Sequence, residues 1–369
     1  MKKALLLVFF LSFSSYIHAQ ETPAQSCVRD LDAIPAFMLA NDAGGKDELA
    51  QKGQKHFDDA LAAARADAAK IAADHECFAV LQKYLLAWRD GHLWVQYPSR
   101  KKAENAVPST PQPGNHAVLK MLSEKTLLLT LPDFEATVGQ DLEAMNAKQR
   151  DVLASHPNWI IDVRDNQGGF DDSYTPLKRW LMADEFTEAQ VAYLVTTHNI
   201  QAQRDVCAAF PAYTECPKVM GAIADRMSKA KTGEYVPESE NGPLVFRRAD
   251  RIEPHRPARV AVLIDHDCVS SCEQFLLAVR QSFSVKLIGR RTYGMIDVSN
   301  VRPWTMPSGK RVLEYATTRS FRIPAMPVDG IGVMPDIYLP LGDGPNAKDD
   351  EVKRVENWLE GGSLAPAKN

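Results

Sequence analysis

Ser270 stands in VAVLIDHDCVSSCEQF (260–275), where an apolar run, a polar turn and a helical pattern follow one another. A serine at a helix start has two uses. It caps the first turn, or it acts as a nucleophile, because the first helical N–H groups and the positive end of the dipole stabilise the oxyanion formed when serine attacks a carbonyl. A second segment, IIDVRDNQGGF (160–170), again runs from a strand pattern into a turn. Gly168 and Gly169 either simply make that turn or expose N–H groups at the strand's carboxyl end, where open α/β sheets hold ligands. His92 lies in RDGHLWV (89–95) after a helical pattern, and His266 lies on the serine's own loop; either imidazole could be a base or a structural residue. Asp329, in VDGIGVMPD (328–336), is a carboxylate just before a glycine, which is also ordinary turn chemistry. Glu273 complements the first turn of its helix.

The elements that must position these groups alternate. TLLLTL (126–131), WIIDV (159–163), VAVLI (260–264) and VKLI (285–288) are short apolar runs suited to strands buried on both faces, with helical patterns between them. Such alternation implies an α/β core of right-handed crossovers. Upstream, residues 46–88 carry Phe57, Leu61, Ala64, Ala68 and Ile71 at helical spacing, which predicts two or three helices. The proline-rich stretch 97–114 reads as a linker or surface loop. Residues 184–250 interrupt the alternation, and such an insertion is either a lid facing the substrate or a structural ornament.

Composition narrows the function classes. With 43 Lys+Arg against 47 Asp+Glu and a net charge of −4, the chain lacks the basic excess that grips nucleic acid, so no nucleic-acid partner is expected. Lys2-Lys3, the apolar run 4–12 and the small-residue site ending at Ala19 predict a signal peptide over 1–19 and an exported, periplasmic or secreted protein. No later stretch approaches the roughly 18 apolar residues of a spanning helix. All six cysteines follow that leader, where the compartment permits disulfides. Proximity favours Cys207 with Cys216, Cys268 with Cys272, and Cys27 with Cys77 by elimination. An i, i+4 pair inside a regular helix points its thiols poorly, so Cys268–Cys272 requires the pair to straddle a helix start. No Cys-x-x-Cys or His-x-x-x-His spacing occurs, and no metal or organic cofactor is expected.

Taken together, the four segments resemble the tail-specific (C-terminal processing) serine peptidases, and more closely their tricorn-like branch. IIDVRDNQGGF is similar to that family's strand and glycine turn, VLIDHDCVSSCEQF to its nucleophile strand and helix, and LIGRRTYGMIDVSN, MPSGKRVLEYATTR and GIGVMPDIYL to the strands that follow. The resemblance covers about 127–340, plus RDGHLWV. It implies a ClpP/crotonase-like α/β core in which Ser270 is the nucleophile, His92 the general base and Asp329 the carboxylate behind it. The oxyanion hole would come from the Ser271 N–H and an N–H of the Gly168-Gly169 turn. Two departures matter. Met295 stands where the processing branch has its lysine base, so a Ser/Lys mechanism is not expected and Met295→Ala should largely spare activity. Asp329 replaces a glutamate, which shortens the carboxylate's reach.

The expected organisation is a signal peptide (1–19), an N-terminal helical module (20–96), a linker (97–118), a peptidase core (119–345, with the 184–250 insertion) and a C-terminal helix and tail (346–369). The segment between His92 and the first core strand is too short for a PDZ domain. The expected activity is that of an exported serine endopeptidase acting on polypeptide substrates through an acyl-enzyme. The alternatives are a catalytically silent binding protein on the same fold and, less compatible with export, a crotonase-type enzyme acting on acyl-CoA.

Overall fold

The computed structural model describes residues 21–98, 115–182, 185–209, 214–240, 242, 244–248 and 252–364. The expected leader 1–19 and most of the expected linker lie outside them. Four helices come first: α1 (Pro23–Asn41), α2 (Gly45–Lys52), α3 (Gln54–Ala68) and α4 (Glu76–Trp88). Helical periodicity is plain in the sequence over 46–88, and α1 lies ahead of that stretch. Yet α1 runs continuously through Pro35 and buries Cys27, Leu31, Ile34 and Met38. At its start the Thr22 Oγ accepts the Gln25 N–H, and the Gln25 carbonyl oxygen accepts the Thr22 N–H, a reciprocal cap that satisfies two orphan donors.

The chain then continues through β1 (Trp94–Gln96), β2 (Val118–Met121), β3 (Thr126–Thr130), α5 (Ala136–Lys148), α6 (Arg150–Ser155), β4 (Asn158–Asp162) and α7 (Thr175–Leu181). The insertion supplies β5 (Glu185–Ala189), β6 (Val191–Leu194), α8 (Thr197–Asp205), α9 (Cys216–Met227), β7 (Tyr235–Pro237) and β8 (Leu244–Arg248). The remainder is β9 (Arg259–Ile264), α10 (Ser271–Val279), β10 (Val285–Gly289), β11 (Val298–Thr305), β12 (Val312–Ser320), β13 (Ile337–Tyr338) and α11 (Ala347–Leu359).

A mixed α/β architecture results, as the strand and helix patterns predict. The main sheet has the order β13-β10-β9-β4-β3-β2 and is parallel throughout except for the β2–β3 pair. Successive strand residues face opposite sides, so the continuous apolar runs fill two cores. Leu127, Leu129, Trp159, Ile161, Val260 and Val262 pack with Phe275, Leu276 and Trp180 on one face. Ile160, Ala261, Leu263 and Ile288 pack with Val352, Val355 and Leu359 of α11 on the other. The parallel order puts the carboxyl ends of β4 and β9 side by side, which brings the glycine turn and the Ser270 turn together.

A second, antiparallel sheet is built on β12, which pairs with β11 along one edge and with β1 and β6 along the other; β7 extends β6. The N-terminal helices pack on this sheet. Phe37 stacks on Trp304 with ring centroids 3.8 Å apart and meets Tyr315 edge-on at 4.8 Å. Leu31, Leu81 and Trp88 share a core with Met306 and Leu313. The helical segment and the second sheet therefore fold around common apolar residues, which fixes where α4 ends and where His92 begins.

Three disulfides join Cys27 to Cys77, Cys207 to Cys216 and Cys268 to Cys272, with Cα separations of 5.7, 5.7 and 5.5 Å. The last is possible because Cys268 precedes the helix and Cys272 lies in its first turn, so the pair brackets the helix start. Among the described residues no helix is long and apolar enough to cross a membrane.

Candidate active site

Ser270 ends the turn after β9 with φ 58° and ψ −122°, a conformation that costs a non-glycine residue free energy and persists only where its surroundings enforce it. Two neighbours do so. The Glu273 carboxylate accepts the Ser270 N–H at 3.2 Å, and the Val269 N–H donates to the Asn166 carbonyl at 3.2 Å. The glycine turn lies directly against this elbow. A Cβ on Gly168, whose φ is +85°, would fall 2.8 Å from the Val269 carbonyl oxygen and 3.0 Å from the Ser270 Cβ. Glycine at 168 is therefore demanded both by conformation and by close approach.

His92 follows α4 and Gly91, and has φ 46°. Its Nε2 lies 3.1 Å from the Ser270 Oγ, and its Nδ1 lies 2.7 Å from the Val298 carbonyl oxygen. A carbonyl can only accept, so Nδ1 carries the proton and Nε2 presents its lone pair to the serine hydroxyl. Burial pushes the imidazole down to about 4; the Val298 carbonyl and Asp42 oppose this fall and the nearby Arg89 guanidinium adds to it. His92 is thus neutral, with the tautomer a base requires, over the whole physiological range.

The loop that carries His92 is held from both sides. The Arg89 guanidinium is fixed by a bidentate pair with Asp42, at 2.6 and 2.8 Å, and donates to the carbonyls of Gly91 at 3.0 Å and His92 at 3.3 Å. From the other side the Met295 sulfur accepts the His92 N–H at 3.2 Å. Met295 in turn donates its own N–H to the Glu273 Oε2 at 2.8 Å, the same oxygen that accepts from Ser270. The second Glu273 oxygen accepts from Thr292 Oγ1 at 2.5 Å and Gly294 N–H at 2.8 Å. One buried carboxylate therefore ties the nucleophile's backbone to the residue that props the histidine. Burial pushes this carboxyl up, while its four donors hold it down.

Asp329 is not brought to His92. Its Oδ1 accepts the N–H groups of Ile296 at 2.5 Å and Asp297 at 2.7 Å. The place behind the imidazole, where a carboxylate was expected, is taken by the Val298 carbonyl. Asp329 shapes the backbone that delivers this carbonyl, together with Asp297, whose Oδ2 accepts the N–H groups of Val328 and Asp329. His266 is exposed and sits edge-on against the Tyr293 ring at 4.9 Å.

The expected pair of oxyanion donors also divides. The Gly168 N–H is used by the Asn166 side chain at 2.9 Å. Among the described residues, the N–H groups of Gly169 and Ser271 hold no hydrogen bond, and the Ser271 hydroxyl donates to the Gly169 carbonyl at 2.8 Å, locking the two turns together. Gly169 and Ser271, not Gly168, are the free donors beside Ser270.

Several residues of this arrangement escape a reading by motif. Val298 acts through its backbone, which no side-chain type announces. Asn166 two places before Gly168 is a turn signal that could have been read. Asp42, Arg89 and Met295 meet only through the tertiary fold.

The pair opens on a cleft of about 1000 Å³. The insertion faces it, with Glu188, Gln190, Val191, Val206, Cys216 and Met220 among the lining residues. Asp165, Asp265 and Asp267 are the one group among the described residues whose carboxylates gather as metal ligands would. Lys348 and Arg290 already face that group, on Asp165 and Asp265 respectively.

Comparison with known proteins bears on the family and the fold. No curated protein matches the chain. Among solved structures, the fold is similar to that of a candidate peptidase from Parabacteroides merdae, at 16% identity and a TM-score of 0.57 over 92% of this chain and 97% of that one. It is also similar to mature CPAF, at 12% identity and a TM-score of 0.60 over 93% and 99% of the two chains. A family model for peptidase family S41 matches residues 125–339, which contain the glycine turn, the Ser270 elbow and Asp329. The chain belongs to peptidase family S41.

Proposed function

We propose that the protein is an exported serine endopeptidase that cleaves polypeptides through an acyl-enzyme on Ser270, with His92 as general base. The observation that carries this reading is the 3.1 Å contact between the Ser270 Oγ and the unprotonated Nε2 of a neutral His92. Serine is a poor nucleophile until a base takes its proton, and this contact lies within hydrogen-bond reach.

In this mechanism His92 Nε2 removes the Ser270 proton as Oγ attacks the peptide carbonyl. The oxyanion then forms within reach of the free Gly169 and Ser271 N–H groups, the latter at the positive end of α10. His92 returns the proton to the leaving amine, and water, activated by the same imidazole, hydrolyses the ester. The Val298 carbonyl holds the tautomer and receives the Nδ1 hydrogen bond as the ring becomes cationic. No metal or organic cofactor enters these steps. Export is part of the reading, supported by the basic and apolar start of the chain and by three disulfides of a kind that persists in oxidising compartments.

A fluorophosphonate probe tests the proposal. It should label Ser270 in folded protein, and His92→Ala should slow labelling and peptide hydrolysis by about 10³-fold, within the range for loss of a general base. An unlabelled Ser270 beside a reactive control hydrolase would instead favour a silent binding protein on this fold.

A further inference from the structure

Five arginines are buried among the described residues: Arg89, Arg164, Arg302, Arg311 and Arg322. Four of them face a carboxylate, namely Asp42 for Arg89, Asp162 and Glu351 for Arg164, Asp30 for Arg311 and Asp297 for Arg322. Arg302, on β11, is the exception. It is 6% exposed, and no carboxylate of the described residues comes within 4.0 Å of its guanidinium. Its hydrogen bonds go to neutral oxygens, the Gln203 side-chain carbonyl at 2.7 Å and the Val301 carbonyl at 2.8 Å, and its buried Nε–H has no partner among the described residues. Glu314 is the carboxylate that influences it from farther away. That group is hydrogen-bonded by Gln96 at 2.5 Å and is itself pushed up by burial.

A buried cation without a counter-charge is costly, and the cost is offset when an anion arrives with the right geometry. Arg302 lines the same cleft as Ser270 and His92. It is also built in. Gln203, itself buried, orients the guanidinium through its carbonyl oxygen and donates its amide to the Met220 sulfur at 2.9 Å. Met220 lies on α9, which the Cys207–Cys216 bridge holds to the segment following α8. Val206, Cys216 and Met220 give this part of the cleft apolar walls, in which an ion pair is screened less than at the surface.

We infer that Arg302 is a carboxylate-binding subsite of the cleft and selects peptides that present an acidic group to it. The inference rests on the peptidase reading for its physiological meaning, but the site itself can be tested without catalysis. A planar guanidinium fork binds a carboxylate better than an amide, so Glu and Gln peptides separate the charge from the shape.

The experiment uses the full mature chain carrying Ser270→Ala, and fluorescent peptides of one sequence with Glu or Gln scanned across the positions flanking a central bond, each with a free or an amidated C-terminus. The Glu peptide at one position should bind about tenfold more tightly than its Gln counterpart. Tighter binding of the free-acid Gln peptides alone would assign the same subsite to a terminal carboxylate. Adding Arg302→Gln should remove the difference, and Arg302→Lys, which keeps the charge and loses the fork, should reduce it; cooperative thermal unfolding checks that each variant is folded. Equal binding of all peptides, or a preference that keeps its full size in both variants, overturns the assignment. Failure of fluorophosphonate labelling with the preference intact would sink the catalytic reading and leave this one standing.

Discussion

The Nδ1 of His92 lies 2.7 Å from the backbone carbonyl of Val298, and this neutral oxygen occupies the position that a carboxylate holds behind the base of a serine, histidine and aspartate triad. The substitution changes the electrostatics of the site. A carboxylate raises the imidazole's proton affinity, whereas a carbonyl fixes the tautomer with much less charge. Burial then dominates, and the ring is pushed down to about 4.

The pH dependence follows from that value. His92 is a base only when neutral, so the acid limb of kcat/KM should lie near pH 4 and well below the 6.5 of an ordinary histidine. The consequence for stability has a definite sign. Because the folded value is lowered, the unfolded chain binds the extra proton first as pH falls below 6.5. The His92 contribution is complete above 6.5 and is lost between there and about 4. Fluorophosphonate labelling rates and urea midpoints across pH 4–8, compared with His92→Gln, measure both; an acid limb centred near 6.5 would contradict the burial argument.

Asp329→Asn should be mild. A carboxylate that held the base would cost about 10⁴-fold when converted to an amide. Here a single oxygen accepts the Ile296 and Asp297 N–H groups, and the Asn carbonyl can do the same. Turnover within about tenfold of wild type is expected, while Asp329→Ala, which leaves two N–H groups unpaired, should lose more. Steady-state kinetics on both variants discriminates the two roles.

Met295 is not the bystander its position in the sequence suggests. Its sulfur holds the His92 N–H, and its chain covers Gly91, where an added Cβ would lie 2.5 Å from the Met295 Cγ. Met295→Ala should therefore lower kcat by about tenfold or more through a loosened base, with little change in KM, whereas Met295→Leu should retain more activity by keeping the volume. Equal activity of wild type and Met295→Ala would show that Arg89 alone suffices to hold the loop.

Glu273→Gln tests the other end of that brace. Both carboxylate oxygens accept two donors each, and an amide nitrogen would face two of those donors with none of its own lone pairs. The residue is fully buried, so a loss of about 1–3 kcal/mol of stability is expected. Chemical denaturation measures it, and a neutral result would mean that the turn at 292–295 can re-form its bonds elsewhere.

Gly168→Ala should be more damaging than a methyl group usually is. The new Cβ would press on the Val269 carbonyl and on Ser270, at a φ that alanine disfavours. Labelling of Ser270 should fall at least tenfold, and thermal unfolding reports how much of that loss is local.

Much of this protein is legible in order along the chain. The strands at 126–131, 159–163, 260–264 and 285–288 announce themselves because a parallel sheet buried on both faces needs unbroken apolar runs, and the observed elements begin and end within about one residue of them. Two of the cysteine pairs follow from proximity and the third, Cys27–Cys77, by elimination, and the Ser270 and glycine turns are visible because special backbone geometry requires particular residue types at particular places. The α1 helix was less legible, since Pro35 and its mixed polarity weaken a pattern that tertiary packing against Trp304 and Tyr315 nevertheless stabilises.

The amino-acid order alone determined the core strands of the parallel sheet with helices between them, the elbow and the family. Only the tertiary structure decided that a main-chain carbonyl stands behind the histidine, that the aspartate serves the backbone instead, and that one buried arginine lines the cleft with no counter-charge among the described residues. The reason is physical: periodicity and turn chemistry are local properties, written in neighbouring residues. Which donor meets which acceptor across 178 or 206 positions depends on distances that only the packed fold sets, and main-chain groups carry no residue type by which to be recognised.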